Sequence, residues 1–166
     1  MTSNDDQPDK DSKHHLRRLD QIWVDPPLYF ITTGTANRAP LLADQRCTDI
    51  LLSEWTSATT RHGWSIGCYV IMPDHVHFFA SPSRSAVSLS RFMQAWKEWT
   101  SKKICEVLQM QPPLWQSEFF DHVLRSFESY EEKSRYILEN PVRAGLVKRA
   151  EDWPYHGKLA DLNFGS

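Results

Sequence analysis

The stretch that decides the fold reads Tyr69-Val-Ile-Met-Pro-Asp-His-Val-His-Phe-Phe-Ala80, and it consists of two apolar segments joined at Pro73. Aliphatic and aromatic residues on both sides of the Pro-Asp pair predict two β-strands connected by a tight turn. Because side chains alternate across a strand, His75 and His77 project from one face and Val76 from the other. Two imidazoles on one face of a rigid strand can form half of a divalent-metal site.

A second motif is needed before this pair of histidines indicates a site. The chain has seven histidines, and roughly 0.3 pairs of this spacing are expected by chance in a chain of this composition. Structural histidines on a half-exposed strand would explain an isolated pair equally well. The pair therefore indicates a metal site only if a matching group of residues occurs elsewhere.

That second motif has the signals of a short helix. Ser129 and Glu132 have the spacing of a capping box, and Pro141 is expected to end the helix at Asn140. At about 100° per residue, one stripe of side chains should face the core. This stripe comprises Phe127, Tyr130, Ser134 and Ile137. Tyr136 and Asn140 lie about 40° apart on roughly the opposite side. A phenol and an amide on one face away from the core suit a site in which the phenol attacks and the amide helps to hold a metal.

At these residues the chain resembles the single-tyrosine HUH transposases, and within them the REP-associated tyrosine transposases. HUH denotes histidine, hydrophobic residue, histidine, as in His75-Val76-His77, and the family's Tyr-Ile-x-x-Asn-Pro pattern matches residues 136–141. Further similar stretches are Met72-Pro73-Asp74, Leu114-Trp115-Gln116, Phe119-Phe120-Asp121-His122, Asn140-Pro-Val-Arg-Ala-Gly-Leu-Val147 and Asp152-Trp-Pro-Tyr155. The resemblance runs from about Arg18 to Leu159. The ordered combination is more specific than any one motif.

The resemblance implies that His75, His77 and Asn140 bind the metal and that Tyr136 is the catalytic nucleophile. It also implies a substrate of single-stranded DNA near a hairpin, a 5′-phosphotyrosine intermediate and a released 3′-hydroxyl. Two imidazoles and one amide make a neutral, incomplete site that leaves positions for phosphate oxygens and water. Such a site suits Mg²⁺ or Mn²⁺ rather than a closed structural Zn²⁺ centre.

Composition and charge are those of a small globular protein, with 166 residues of which 40% are hydrophobic and 24% are charged. Three widely spaced cysteines, Cys47, Cys68 and Cys105, predict buried reduced thiols rather than a disulfide framework. No apolar run approaches the roughly 18 residues of a membrane span, and the start of the chain has no signal-peptide core. We therefore expect a cytoplasmic, nucleoid-associated protein that does not bind membranes and is a monomer or a homodimer.

The net charge of −2 does not by itself indicate a nucleic-acid binder. Outside residues 1–27 the chain has 15 basic and 15 acidic side chains, so phosphate binding would depend on local clusters. The clearest cluster lies on a predicted helix whose buried stripe would be Leu89, Phe92, Met93, Trp96 and Trp99. From this cluster we predict DNA-backbone contacts by Arg91, Lys97, Lys102 and Lys103. A solvated helix face is the open alternative.

The predicted elements follow the order β-α-β-β-α-β-α. They are Leu28–Thr33, Ala43–Arg61, Ser65–Ile71, His75–Ser81, Ala86–Leu108, Phe119–Leu124 and Phe127–Glu139. This order predicts the α+β class, with a ferredoxin-like antiparallel sheet and helices packed on one face, as in HUH enzymes. The histidine strand would be central in the sheet, with its histidine side open to the tyrosine helix. Residues 1–17 are predicted to be a disordered polar tail, residues 18–158 a single HUH transposase-like domain, and residues 159–166 a C-terminal tail.

The function that these features favour is a metal-dependent single-stranded DNA endonuclease and strand-transferase, a transposase. One alternative is a DNA-hairpin-binding protein whose catalysis has decayed, although every required side chain is present. Another is a nucleotide hydrolase or transferase with His75 or His77 as nucleophile. That enzyme would need a phosphate cradle of glycines or a nearby helix N-terminus, and the six glycines are not clustered.

Overall fold

The computed structural model describes residues 26–163. Its main elements are β1 (Leu28–Gly34), α1 (Gln45–His62), β2 (Trp64–Met72), β3 (His75–Pro82), α2 (Leu89–Leu108), β4 (Phe120–Leu124), α3 (Phe127–Leu138), α4 (Asn140–Arg143) and β5 (His156–Lys158). Short 3₁₀ helices occupy Ala36–Arg38 and Ala150–Asp152. The described strands form one antiparallel sheet in the order β4-β1-β3-β2-β5. The predicted ferredoxin-like α+β class is confirmed, since β1 to β4 with α1 and α2 follow its order.

The helices α1 and α2 cover one face of this sheet and bury an aromatic core against it. Helix α1 is capped at its N-terminus by Asp44, whose carboxylate accepts from the backbone N–H of Arg46, and at its C-terminus by Gly63 in the left-handed region. Trp55 of α1 and Trp96 of α2 stack in parallel at 5.5 Å between ring centroids. Both indoles are almost fully buried, so this layer is tightly packed.

One residue of the predicted α2 stripe lies outside the core. Leu89, Phe92, Met93 and Trp96 are buried as expected, whereas Trp99 is 46% exposed. The buried side continues from Trp96 to Thr100 and Ile104, because a step of four residues changes the helical angle by only about 40°. The prediction for Trp99 was therefore wrong, and its ring lies under the ammonium of Lys102 at 5.4 Å.

The opposite face of the sheet has a smaller core, which is covered by α3 and the C-terminal segment. Phe79 of β3 faces this side, where the edge of its ring meets Tyr130 of α3 at 4.9 Å. Because His75, His77 and Phe79 alternate with residues of the aromatic core, both histidines also face this side. The two long helices and the two histidines thus lie on opposite faces of the sheet.

Helix α3 begins at Phe127 as predicted, but its N-cap and its C-terminal end differ from the prediction. Its N-cap is Ser126, whose hydroxyl accepts from the N–H of Ser129 at 3.1 Å, so Ser129 is not the cap. Its C-terminus is followed by the separate turn α4, in which Pro141 occupies the first turn, where proline needs no N–H acceptor. Phe127, expected in the core, is 53% exposed and lies at the first position of the helix.

The part of the C-terminal segment that packs against the sheet extends further along the chain than predicted. Leu162 is 7% exposed and belongs to the smaller core. It lies so close to Gly67 that a Cβ there would be 2.6 Å from its Cδ1, and Leu159 donates its N–H to the Gly67 carbonyl. The predicted tail from residue 159 was therefore wrong for residues 159–162. Strand β5 was not predicted, because it is only three residues long and contains a glycine.

The remaining predictions concern the cysteines, a membrane span and the N-terminus. Cys47, Cys68 and Cys105 are free and buried, as predicted. Among residues 26–163, no helix has the length and apolar character needed to cross a bilayer. The predicted polar tail at residues 1–17 lies outside the described residues.

Candidate active site

The candidate site is built on β3, the central strand of the sheet. This strand is hydrogen-bonded to β1 on one side and to β2 on the other, and His77 lies between Thr32 and Val70 in the register. His75 occupies the first position of the strand, opposite Gly34 of β1. A strand paired on both edges holds its side chains rigidly.

The two imidazoles and one amide converge as the sequence predicts. His75 Nε2 lies 3.1 Å from His77 Nε2, and Asn140 Nδ2 lies 3.4 Å from His75 Nε2. Asn140 begins α4, the turn that follows α3. The position of Asn140 was predicted from a four-residue spacing along one continuous helix. In the structure, α3 ends at Leu138 and Asn140 begins a separate turn. Its side chain nevertheless reaches the histidines.

Each histidine has a partner for its other ring nitrogen. His75 Nδ1 lies 2.7 Å from Asp74 Oδ1, and His77 Nδ1 lies 2.7 Å from Thr32 Oγ1. A carboxylate accepts from Nδ1–H, and a threonine hydroxyl can do so, which leaves the two Nε2 atoms with free lone pairs. The pKa of His77 is lowered to about 3, first by burial and then by the positive charges of His75, Arg143, Arg38 and Lys133.

The chemistry of these donors fits a bound cation. With each Nδ1 bonded to its own partner, the two Nε2 atoms face each other at 3.1 Å and could both donate a lone pair to one cation. Within the described residues, no group of three His, Cys, Asp or Glu side chains is arranged to hold a metal. The third donor would thus be the amide of Asn140. An amide binds cations through its oxygen. To bind a metal, the Asn140 amide would have to turn over so that Oδ1, rather than Nδ2, faces the histidines.

Tyr136 lies in the last turn of α3, four residues before Asn140. Its side chain is 57% exposed, in agreement with its predicted position away from the core, whereas Ile137 beside it is fully buried. The guanidinium carbon of Arg143 lies 3.9 Å from the centre of the Tyr136 ring. The Arg143 Nη2 also donates to the Tyr136 carbonyl at 2.7 Å. The phenol is therefore accessible to a ligand and is held by one arginine.

The basic residues predicted to bind DNA lie on α2, on the far side of the sheet from the histidines. Lys97 donates to the carbonyls of residues 116, 117 and 118 at 2.8–3.3 Å, and burial lowers its pKa to about 8. Lys103 pairs with the buried carboxylate of Glu54. Lys102 lies over Trp99, and Arg91 is exposed. Lys97 and Lys103 thus have structural partners, and the structure does not bring any of the four to the histidines.

Three cations close to the site were not predicted. Arg38 Nε pairs with Asp74 Oδ2 at 3.0 Å, Lys133 Nζ lies 4.9 Å from the Phe30 ring centre, and Arg143 contacts Tyr136. All three charges act on His77. Their positions depend on how three separate elements meet. The one available signal was the position of Arg143 inside the Asn-Pro-Val-Arg motif, three residues after Asn140.

Comparisons with known proteins identify relatives of this chain. The chain is 30% identical over 93 residues to the REP-associated tyrosine transposase of Escherichia coli (strain K12), which covers 55% of this chain and 53% of that protein. The chain thus spans about half the length of the curated relatives it matches. The structure of a REP-associated tyrosine transposase bound to a REP hairpin superposes with a TM-score of 0.67, at 22% identity, over 85% of this chain and 82% of that one.

The structural match at 22% identity shows that the two proteins share a fold. The family of this chain is shown by a separate match to a family model. Residues 28–140, which run from the first strand through the histidine pair and Tyr136 to Asn140, match the model described as Transposase IS200 like. The chain belongs to this IS200-like transposase family.

Proposed function

We propose that the protein is a metal-dependent endonuclease and strand-transferase that cleaves single-stranded DNA near a hairpin and keeps the cleaved end on Tyr136. The observation that carries the proposal is the convergence of His75 Nε2, His77 Nε2 and the Asn140 amide within 3.4 Å. An exposed phenol, that of Tyr136, lies four residues before Asn140 in the last turn of α3. Membership of the transposase family supports phosphodiester chemistry at this site.

His75, His77 and Asn140 would hold Mg²⁺ or Mn²⁺, which when bound polarises the scissile phosphate and offsets its negative charge. The chain itself fixes the two imidazoles. Asp74 Oδ1 lies 2.7 Å from His75 Nδ1 and Thr32 Oγ1 lies 2.7 Å from His77 Nδ1, so both rings direct Nε2 into the site. Because these partners are held on the sheet and its tight turn, the donor atoms stay in place when DNA enters.

Tyr136 is the proposed nucleophile. Its Oη would attack the phosphorus, the new Oη–P bond would form, and the bond from phosphorus to the 3′-oxygen would break. The 3′-oxygen leaves with that electron pair and takes up a proton as a hydroxyl, while the phenol proton passes to solvent. The product is a 5′-phosphotyrosine. Since the phosphodiester is exchanged rather than hydrolysed, a free 3′-hydroxyl can reverse the step and join strands without an energy source.

The proposed substrate is an unpaired strand beside a DNA hairpin. A relative of the same fold was solved with a REP hairpin, and the accessible Tyr136 needs a phosphate that a flexible single strand can present. We expect hairpins with an unpaired extension to bind more tightly than a linear duplex of the same sequence. Equal affinity for both would indicate an ordinary duplex-binding module. A nucleoid location would follow from such a substrate.

The deciding experiment is covalent capture of labelled DNA. A labelled single-stranded oligonucleotide that folds into a hairpin is incubated with protein and Mn²⁺, and the products are separated on a denaturing gel. The intact protein should form a covalent adduct, and Tyr136→Phe should not. Because Tyr136 is exposed, this change removes one oxygen without disturbing the core, so hairpin binding should persist.

Tyr130→Phe is the matched control. Tyr130 lies in the same helix but packs with Phe79, so its variant should still form the adduct. Mass spectrometry should locate the DNA on Tyr136. Attachment to any other residue would refute the assignment. Hairpin binding without an adduct in the unmodified protein would instead indicate a binder whose catalysis has decayed.

A further inference from the structure

We propose that Arg38, Lys133 and Arg143 form the surface that binds the phosphate backbone of the single strand at the histidine site. The inference deepens the proposed function and rests on it. The three residues come from three different elements, the 3₁₀ turn after β1, then α3, then α4. We call this set the site cations. It differs entirely from the α2 residues from which DNA contacts were predicted.

Arg38 is one side chain away from His75. Its Nε lies 3.0 Å from Asp74 Oδ2, and the other oxygen of Asp74 contacts His75 Nδ1 at 2.7 Å. The Arg38 side chain remains 55% exposed. Asn37 and Arg38 both have φ of 55°, a left-handed conformation that costs about 1 kcal/mol or more for residues other than glycine. The chain thus holds this guanidinium beside the site in an unfavourable backbone conformation.

Lys133 contacts His77 indirectly, through the ring of Phe30. Its Nζ lies 4.9 Å from the centre of the Phe30 ring, and Phe30 stacks on the His77 imidazole at 5.5 Å with an interplanar angle of 21°. An ammonium group is attracted to the face of an aromatic ring, and this attraction favours one position of the flexible lysine side chain. It is therefore positioned beside the strand that carries the histidines rather than extended freely into solvent.

Arg143 joins the proposed nucleophile to the proposed metal ligand. Its guanidinium lies against the Tyr136 ring at 3.9 Å, and it ends the same four-residue helix that begins with Asn140. Its bond to the Tyr136 carbonyl would be expected of any cation that caps the end of a helix. A capping role does not require stacking on the phenol. A guanidinium in this position can bind a phosphate oxygen close to the attacking atom.

The contacts of these three side chains lead to the histidine site, whereas those of the α2 residues do not. Arg38 reaches His75 through Asp74, Lys133 reaches His77 through Phe30, and Arg143 lies on the Tyr136 ring. On the other side of the sheet, Lys97 is bonded to three carbonyls and Lys103 to Glu54. A strand bound at Tyr136 and the histidines would therefore lie beside the site cations rather than beside α2.

The test measures DNA binding apart from catalysis. The affinity of the whole protein for a labelled polythymidine strand, and for a labelled hairpin with an unpaired extension, is measured by fluorescence anisotropy in EDTA over a range of salt concentrations. Arg38→Gln, Lys133→Gln and Arg143→Gln should each weaken binding about three- to tenfold. Each should also lower the slope of log affinity against log salt by about 0.7, which corresponds to one lost phosphate contact.

Charge-keeping variants separate phosphate binding from a structural role. Arg38→Lys, Lys133→Arg and Arg143→Lys should retain most of the affinity and the full salt slope. If they weaken binding as much as the glutamine variants, the site cations have only a structural role and the inference is wrong. Thermal unfolding of each variant checks that the fold is intact.

The rival surface gives the opposite outcome. Arg91→Gln and Lys102→Gln remove the exposed α2 charges, and the inference is overturned if these two changes reduce affinity and slope while the site-cation changes do not. It is also overturned if the unmodified protein binds neither probe. If the site-cation variants behave as expected and yet no covalent adduct forms on the unmodified protein, the inference stands and the proposed nucleophile fails.

Discussion

The face of the sheet that α1 and α2 cover buries a large aromatic core, whereas the face that α3 covers combines a smaller apolar core with the two histidines and the site cations. Strand β3 contributes to both at once. Val76 and Phe78 are fully buried on the first face, while His75 and His77 point to the second. Alternation along one strand therefore joins the aromatic core to the proposed site.

This difference explains how a site that is accessible at Tyr136 can rest on a rigid strand. Burial of large apolar side chains contributes roughly 1.5–3 kcal/mol each, and the first face buries several, among them Trp55, Phe78 and Trp96. The second face requires polar atoms to remain partly accessible, which limits how much apolar surface it can bury. We therefore expect substitutions on the first face to change stability and substitutions on the second to change chemistry.

The largest effect is expected for the histidines. His75→Ala or His77→Ala removes one of the converging Nε2 atoms, so adduct formation on labelled hairpin DNA should fall by more than about 100-fold. Because neither residue belongs to a hydrophobic core cluster, the free energy of unfolding should change by less than about 1 kcal/mol. Excess EDTA should abolish the activity of the intact protein. Undiminished cleavage in EDTA would contradict the metal assignment.

The converse change is on the aromatic face. Trp96→Ala removes an indole that stacks on Trp55 and also contacts Trp115 at 5.0 Å, so the free energy of unfolding should fall by about 3–5 kcal/mol. Denaturant titration measures this loss. The adduct yield per folded molecule should be unchanged. A loss of adduct that exceeds the loss of folded protein would mean that the two faces are not separable in this way.

Local periodicity was sufficient to place some of the site. The period of two along β3 assigned both histidines to one side, and the helical angle along α3 correctly separated the exposed Tyr136 from the buried Ile137. These positions depend only on the geometry of one element. For the same reason, the order of strands and helices was enough for the fold class.

Contacts between elements could not be predicted in this way. Lys97 looks like one basic residue among several in the sequence, but its ammonium holds the loop at residues 116–118. Arg38 and Lys133 belong to no motif, and they reach the site only through contacts with Asp74 and Phe30, which belong to other elements. Such positions depend on tertiary packing, which periodicity does not report.

The smallest effect is expected for the residue that links Arg38 to the histidines. Asp74→Asn keeps an oxygen that can accept from His75 Nδ1–H but removes the negative charge that pairs with Arg38. Changes to such supporting residues typically weaken metal affinity by about 10- to 100-fold. We therefore expect the Mn²⁺ concentration for half-maximal adduct formation to rise by that factor, with the adduct restored at saturating metal. Thr32→Val, which removes the hydroxyl partner of His77, is the neutral comparison and should shift the midpoint less. A midpoint unchanged by Asp74→Asn would show that the charge on Asp74 does not help to orient His75.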